Sequence, residues 1–311
     1  MNTYGLNEQA VLGNTVLGAS IGGPFSEIIQ SAGSDSKVIF LKVNYNIQDG
    51  ATAPTLSSLL TASPTVPAPM ANIIAKLVIQ DNANKDILVL NNFGAYIATV
   101  VNMLSSINAI GEVANILNNA AIATPAFAAS TNYSGSFVIP LELPIKNARY
   151  PLKISFTLNG LNQLFTANAP SMSVSISVIP VSAVNGVVSR ELTVTAYTFA
   201  AAINAGVDQI GKDLSNASNV IALAAQFTSL ANVSTIQVKA ALVNGGVYNI
   251  PTVSEPTLSV LQYNKISLPA TYEAFVLDFS GEKAIISKNS TIFTVTMNAS
   301  DTPTIYVVSV R

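Results

Sequence analysis

PLKISFTL, residues 151–158, and MSVSISV, residues 172–178, alternate apolar and polar side chains without a break. In the first, Leu152, Ile154, Phe156 and Leu158 share one face and Lys153, Ser155 and Thr157 the other. In the second, Met172, Val174, Ile176 and Val178 face one way and serines the other. Successive side chains of a β-strand point to opposite faces, so a period of two predicts strands with one dry and one wet face.

The same reading extends along the chain. VIFLKVNYNI (38–47) puts Leu41, Val43, Tyr45 and Ile47 on one face. NIIAKLVIQ (72–80) and DILVL (86–90) flank the turn DNANK. SFVIPLEL (136–143), ELTVTAY (191–197), TIQVKAAL (235–242), TLSVLQY (257–263), EAFVLDF (273–279), KAIIS (283–287), TIFTVTM (291–297) and TIYVVSV (304–310) add further strands. Short strands in such number, punctuated by turn residues, predict sandwiches or barrels.

Two blocks break the period. Ile97, Val100, Val101, Leu104 and Ile107 follow the spacing of an amphipathic helix, and Val113, Ile116 and Leu117 suggest a second short one. Residues 200–231 read as another helical block, with Ile203, Val207, Ile210 and Leu214 in one stripe and Val220, Leu223 and Phe227 in another. Each half therefore reads strands, helix, strands. Two barrels fit the length: residues 1–168, with Gly-rich residues 1–36 reading as an N-terminal arm or an entry strand, and residues 169–311, the boundary falling within 160–190. The Pro-rich stretch 49–71 reads as a long loop.

Composition narrows the chemistry. The 311 residues hold 14 Lys and Arg against 16 Asp and Glu, a net charge of −2, and no Cys, His or Trp. Charged residues make up 10% of the chain, and Asn alone, at 30, equals them in number. Without Cys or His there is no disulfide framework, no thiolate or Ser-His-Asp machinery and no common zinc site. The charge balance lacks the basic face of a nucleic-acid binder. Half the residues are hydrophobic, which excludes a disordered chain. No apolar run is long enough to cross a bilayer as a helix, and the first residues lack the positive start of a secretory signal. A compact monomer of this mass exposes roughly 12,000 Å², or about 400 Å² per charge. So sparse a charged surface predicts that other copies cover much of it.

Candidate chemical motifs read as structural. DNANKD (81–86) starts like a calcium loop, but Ala83 stands where a ligand is needed, so it reads as an Asx-rich turn. The carboxylates Glu142, Glu191, Glu255, Glu273, Asp278 and Glu282 are scattered rather than paired as a glycosidase needs. GASIGG (18–23) and YSGSF (133–137) lack the spacing of phosphate loops and nucleophile elbows. Lys146, Arg149 and Lys153 form the one local basic cluster. The sequons at Asn132, Asn216, Asn232, Asn289 and Asn298 are expected by chance in so Asn-rich a chain. No catalytic, cofactor-binding or metal-binding residue is expected.

This layout of two strand-rich halves, a helical excursion in each (94–121 and 200–231), neutral Cys-free composition and a Gly-rich arm resembles the double jelly-roll major capsid proteins of tailless, membrane-containing icosahedral bacteriophages, the flavobacterial lipid-containing type in particular. The resemblance implies a mainly β fold of two tandem eight-stranded jelly-roll barrels and no enzymatic activity. It implies homotrimeric, pseudo-hexagonal capsomers in a virion shell around an internal membrane, made in the host cytoplasm. Its partners would be further copies, minor virion proteins such as a penton, and lipids or membrane proteins touched by the arm, with no sequence-specific nucleic acid. An all-β surface, adhesin or fibre protein is the main competing reading, and a His-independent glycosidase a more distant one.

Overall fold

The computed structural model describes residues 7–63, 66, 68–108, 123–182, 187–188, 190–199, 201–206, 208–210, 219–241, 247–254, 274–278, 286–287 and 292–311. The chain divides into two compact units, one of residues 1–101 and 112–191 and the other of residues 102–111 and 192–311, so that the helix after the fifth strand is shared between them and the last division falls between Glu191 and Leu192.

The first unit contains eight principal strands: β1 (Gln9–Val16), β2 (Gly22–Ile29), β3 (Ser36–Gln48), β4 (Ile74–Gln80), β5 (Asp86–Asn91), β6 (Asn132–Leu141), β7 (Leu152–Leu158) and β8 (Ser171–Ser182). They form two four-stranded sets, ordered β1-β8-β3-β6 and β2-β7-β4-β5. Every pairing within the sets is antiparallel. Thr55–Leu56 pairs separately with Phe165–Ala167. The helix α1 (Phe93–Asn108) follows β5, with Ile97, Val100, Val101 and Leu104 buried as its spacing predicts.

The second unit has β9 (Leu192–Thr198), β10 (Asp208–Ile210), β11 (Asn219–Gln226), β12 (Val233–Ala241), β13 (Val247–Ser254), β14 (Ala274–Asp278), β15 (Ile292–Met297) and β16 (Thr304–Val310). Its sets run β9-β16-β11-β14 and β10-β15-β12-β13. Adding eight to each strand number of the first unit reproduces the second. In both, the first strand pairs with the last and the last with the third, which is the Greek-key winding of a jelly roll. The fold is mainly β, two jelly-roll barrels in tandem.

Alternation fills the first core. Leu41, Val43, Tyr45 and Ile47 of β3, Met172, Val174, Ile176 and Val178 of β8, and Leu152, Ile154, Phe156 and Leu158 of β7 are all buried. Burying each such side chain contributes about 1.5–3 kcal/mol before entropy is counted. Phe25 stacks on Phe156 with ring centroids 5.6 Å apart. The second core gathers Ile203, Val220, Leu223, Ala225, Phe227, Val233, Ile236, Val295, Met297, Ile305 and Val307.

The structure corrects three expectations. Residues 1–36, expected as an arm or an entry strand, supply two full strands of the first barrel, β1 and β2. Strand β8, expected to open the second barrel, closes the first by pairing with β1 and β3. The first barrel thus extends past 168, and the division falls just beyond the expected 160–190 window. Alternation shows that 172–178 is a strand but carries no information about its partner. Finally, the described part of the block 200–231 holds no α-helix: β10 and β11 lie in it, Leu230–Asn232 is one short 3-10 turn, and Val207 and Leu214 of the expected stripe lie outside the described residues. Val220 to Phe227 is buried without interruption, so β11 shows no alternation. A continuous apolar run of this length reads equally well as a buried helix. The expected helix at 112–119 and the expected strand at 257–263 lie outside the described residues.

Candidate functional site

The residues singled out for chemistry prove to be spent on structure. Asp81 is buried, and its Oδ1 accepts hydrogen bonds from the backbone N–H groups of Ala83 (2.9 Å) and Lys85 (2.8 Å). That is the Asx turn expected of DNANK. Asn82 in turn donates through Nδ2 to the carbonyls of Ala148 (3.0 Å) and Tyr150 (3.1 Å). The basic cluster is not an open anion site either, because Arg149 is bound to Glu191. Arg149 Nε lies 3.1 and 3.3 Å from the two carboxylate oxygens, and its Nη2 lies 3.1 Å from Oε2. This hydrogen-bonded carboxylate holds the guanidinium still more firmly protonated. Glu142 is buried in the first unit. Asp278 lies on β14 opposite Ala222. Glu255, Glu273 and Glu282 lie outside the described residues, as do the sequons at Asn216 and Asn289. Among the described residues no three Asp or Glu side chains cluster to hold a metal ion, and no described helix is long and apolar enough to cross a membrane.

What the two units share is one end. In the first barrel, Asn159 follows β7; its N–H donates to the Ile73 carbonyl (2.9 Å) and its Nδ2 to the Asn72 carbonyl (2.7 Å), just before β4. In the second, Asn298 follows β15; its N–H donates to the Asn232 carbonyl (2.6 Å) and its Nδ2 to that of Ala231 (3.4 Å), just before β12. The same residue type at the same register ties the same two connections. A third connection joins them. Leu161 and Asn162 donate to the carbonyls of Gly18 (2.8 Å) and Ala19 (3.0 Å), and Ile203 exchanges backbone hydrogen bonds of 2.7 and 3.1 Å with Asp301.

Asp301 anchors the second of these ends. It is 4% exposed and accepts from Thr228 N (3.0 Å to Oδ2), Thr228 Oγ1 (2.9 Å), Asn232 Nδ2 (3.0 Å) and Thr302 N (2.7 Å). Burial pushes its carboxyl up, but the hydrogen bonds from Asn232, Thr228 and Thr302 outweigh it and leave the pKa below the ordinary carboxylate value. The matched asparagines allow a ranked expectation. Asn159→Ala should cost about 1–3 kcal/mol, because its amide is buried and its bond short. Asn298→Ala should cost less, since its two side-chain contacts are 3.4 Å and partly exposed. Chemical denaturation of the two variants checks the order.

The wet face of the β1-β8-β3-β6 sheet is almost free of charge. Asn44, Asn46 and Gln48 on β3 pair in register with Ser175, Ser173 and Ser171 on β8 and with Ser136, Ser134 and Asn132 on β6. Asn44 Nδ2 lies 3.1 Å from Ser175 Oγ. The lysine among them, Lys42, meets Glu8 at 3.1 Å. Hydroxyls and amides lose less on leaving water than charges do, so such a face can be covered at small cost.

No family model matches the chain, and no curated protein matches it in sequence. Solved structures do match in fold. The crystal structure of the STIV major capsid protein superposes with a TM-score of 0.68 at 12% identity, covering 98% of this chain and 96% of that one. A chain of the atomic structure of Sulfolobus Turreted Icosahedral Virus gives 0.62 at 12% identity, covering 98% and 90%. The faustovirus major capsid protein gives 0.57 at 8% identity, covering 100% and 90%. Over its whole length this chain has the double jelly-roll fold found in viral major capsid proteins.

Proposed function

We propose that this chain is a structural protein, the major capsid protein of an icosahedral virion, and not an enzyme. The observation that carries the reading is the duplication of one strand order, 1-8-3-6 and 2-7-4-5, in a single chain. Two like barrels per chain let three copies present six barrel positions, the pseudo-hexagonal capsomer of a closed lattice. The near-neutral Asn/Ser face supports crowding of many copies, because a net charge of −2 leaves little mutual repulsion. Likeness of fold to viral major capsid proteins along the whole chain supports the same reading.

In this account the protein acts in the virion as a homotrimer, alongside minor virion proteins such as a penton, around an internal lipid membrane. The host is a bacterium and the virus a tailless phage, and the chain is made in the host cytoplasm. Electron microscopy of the purified protein under assembly conditions tests the reading. Closed shells or sheets tiled by capsomers of hexagonal outline are expected. Isolated monomers or open fibres at every concentration would contradict it, fibres favouring an adhesin or fibre protein instead.

A further inference from the structure

The loop between β6 and β7 carries a polar cluster packed against the start of β3. Ser36 and Ile145 exchange backbone hydrogen bonds of 2.8 Å, and Ser36 Oγ lies 2.7 Å from the buried hydroxyl of Tyr150. Burial pushes the Tyr150 phenol up to about 12, against the opposing hydrogen bond from Ser36. On this platform sit Asp35, Arg149 and Glu191. Asp35 Oδ1 accepts from Asn147 N (2.7 Å) and its Oδ2 from Val188 N (2.7 Å). Glu191 accepts from Arg149 in the two-pronged pair already described and from Lys146 N (3.1 Å). The Glu191 side chain is 6% exposed, while the other described ion pair, Lys42–Glu8, has sides 34% and 48% exposed.

Both captured residues, Val188 and Glu191, belong to the crossing that leads from β8 to β9. Val187 is 73% exposed, and one residue later Val188 is 7% exposed, at the point where Asp35 takes its N–H. A chain with so few charges brings three of them together from positions 35, 149 and 191. We propose that Asp35, Arg149 and Glu191 form a clamp that fixes where the chain leaves the first barrel by holding Val188 and Glu191 against it. The device stands whether or not the chain builds a shell.

Limited trypsin digestion of the full chain tests it, because Arg190 lies inside the clamped segment. Lys85, exposed in the turn 81–86, serves as the internal reference. In the unaltered protein, cleavage after Arg190 should be much slower than after Lys85. Arg149→Met leaves Glu191 without its cation, and Asp35→Asn removes one acceptor from Val188 or Asn147; neither touches the scissile bond. Each should raise cleavage after Arg190 by about tenfold or more while cleavage after Lys85 stays constant, as expected for local opening. Three results overturn the proposal: equal cleavage at the two sites in the unaltered protein, no change at Arg190 in either variant, or a joint rise at both sites, which would mean general unfolding. If Arg149→Met fails to fold, the milder Asp35→Asn decides alone.

Discussion

Replacing Asp301 by Ala is expected to destabilise the second barrel by about 3–5 kcal/mol at neutral pH. The carboxylate is buried and collects the hydrogen bonds of Thr228, Asn232 and Thr302. Bonds to a charged acceptor contribute about 1.5–3 kcal/mol each, but those sharing one group do not add fully. The donors sit on residues that are exposed (Thr228, Thr302) or half-buried (Asn232), so water takes up part of the lost bonding. The connections before β12 and after β15 then lose their common anchor. The pH dependence has a definite sign. A carboxyl whose folded pKa lies below its unfolded value, ordinarily about 3.9, stabilises fully above that value. Its contribution fades as pH falls through the folded pKa. The variant should therefore differ most from the parent near neutrality and converge with it in strong acid. Hydrogen exchange of peptides covering 219–241 and 292–311 reads this out. Unchanged protection at neutral pH would contradict the anchoring role.

Gly160→Ala is the corresponding change in the first barrel, with an expected cost of about 2–4 kcal/mol. A Cβ at Gly160 would overlap the carbonyl carbon and oxygen of Ser20 and stand 2.6 Å from the Ala19 carbonyl oxygen. Those atoms are backbone and cannot swing aside as a side chain could. The loop 18–20 must withdraw, which breaks or lengthens the bonds from Leu161 to Gly18 and from Asn162 to Ala19. Gly13→Ala is the contrasting case, because nothing lies within 4 Å of its added methyl. It should change stability by no more than about 1 kcal/mol. Thermal or denaturant unfolding of the pair tests the packing argument, and equal effects would contradict it.

Strands with one wet face were readable from sequence. In β3, β7 and β8, solvent on one side and core on the other impose the alternation that marks a strand. β11 and β16 are buried through nearly their whole length, so that mark is missing; Ala-rich VIALAAQF consequently reads as helix. β1 and β2 fail for the opposite reason. Val11 and Ile29 are the only fully covered positions in them, so apolar and polar residues mix freely. The clamp was half visible. Arg149 stood out as basic and Glu191 as a candidate carboxylate, yet they are separated by 42 positions and only the fold joins them. The shared barrel end did leave a local trace. FTLN (156–159) and VTMN (295–298) both run apolar, Thr, apolar, Asn, the Asn lying one residue past its strand.

Self-assembly through neutral contacts can be followed by sedimentation velocity from low salt to about 1 M. Across that range the Debye length shrinks to ~3 Å, so association built on charge weakens steeply. Apolar contacts and amide or hydroxyl hydrogen bonds do not weaken in that way. With charges making up only 10% of the chain, few ion pairs can bridge copies. A species of three chains' mass should persist at every salt concentration. A protein that is monomeric throughout, or a trimer that dissociates as salt rises, would contradict it.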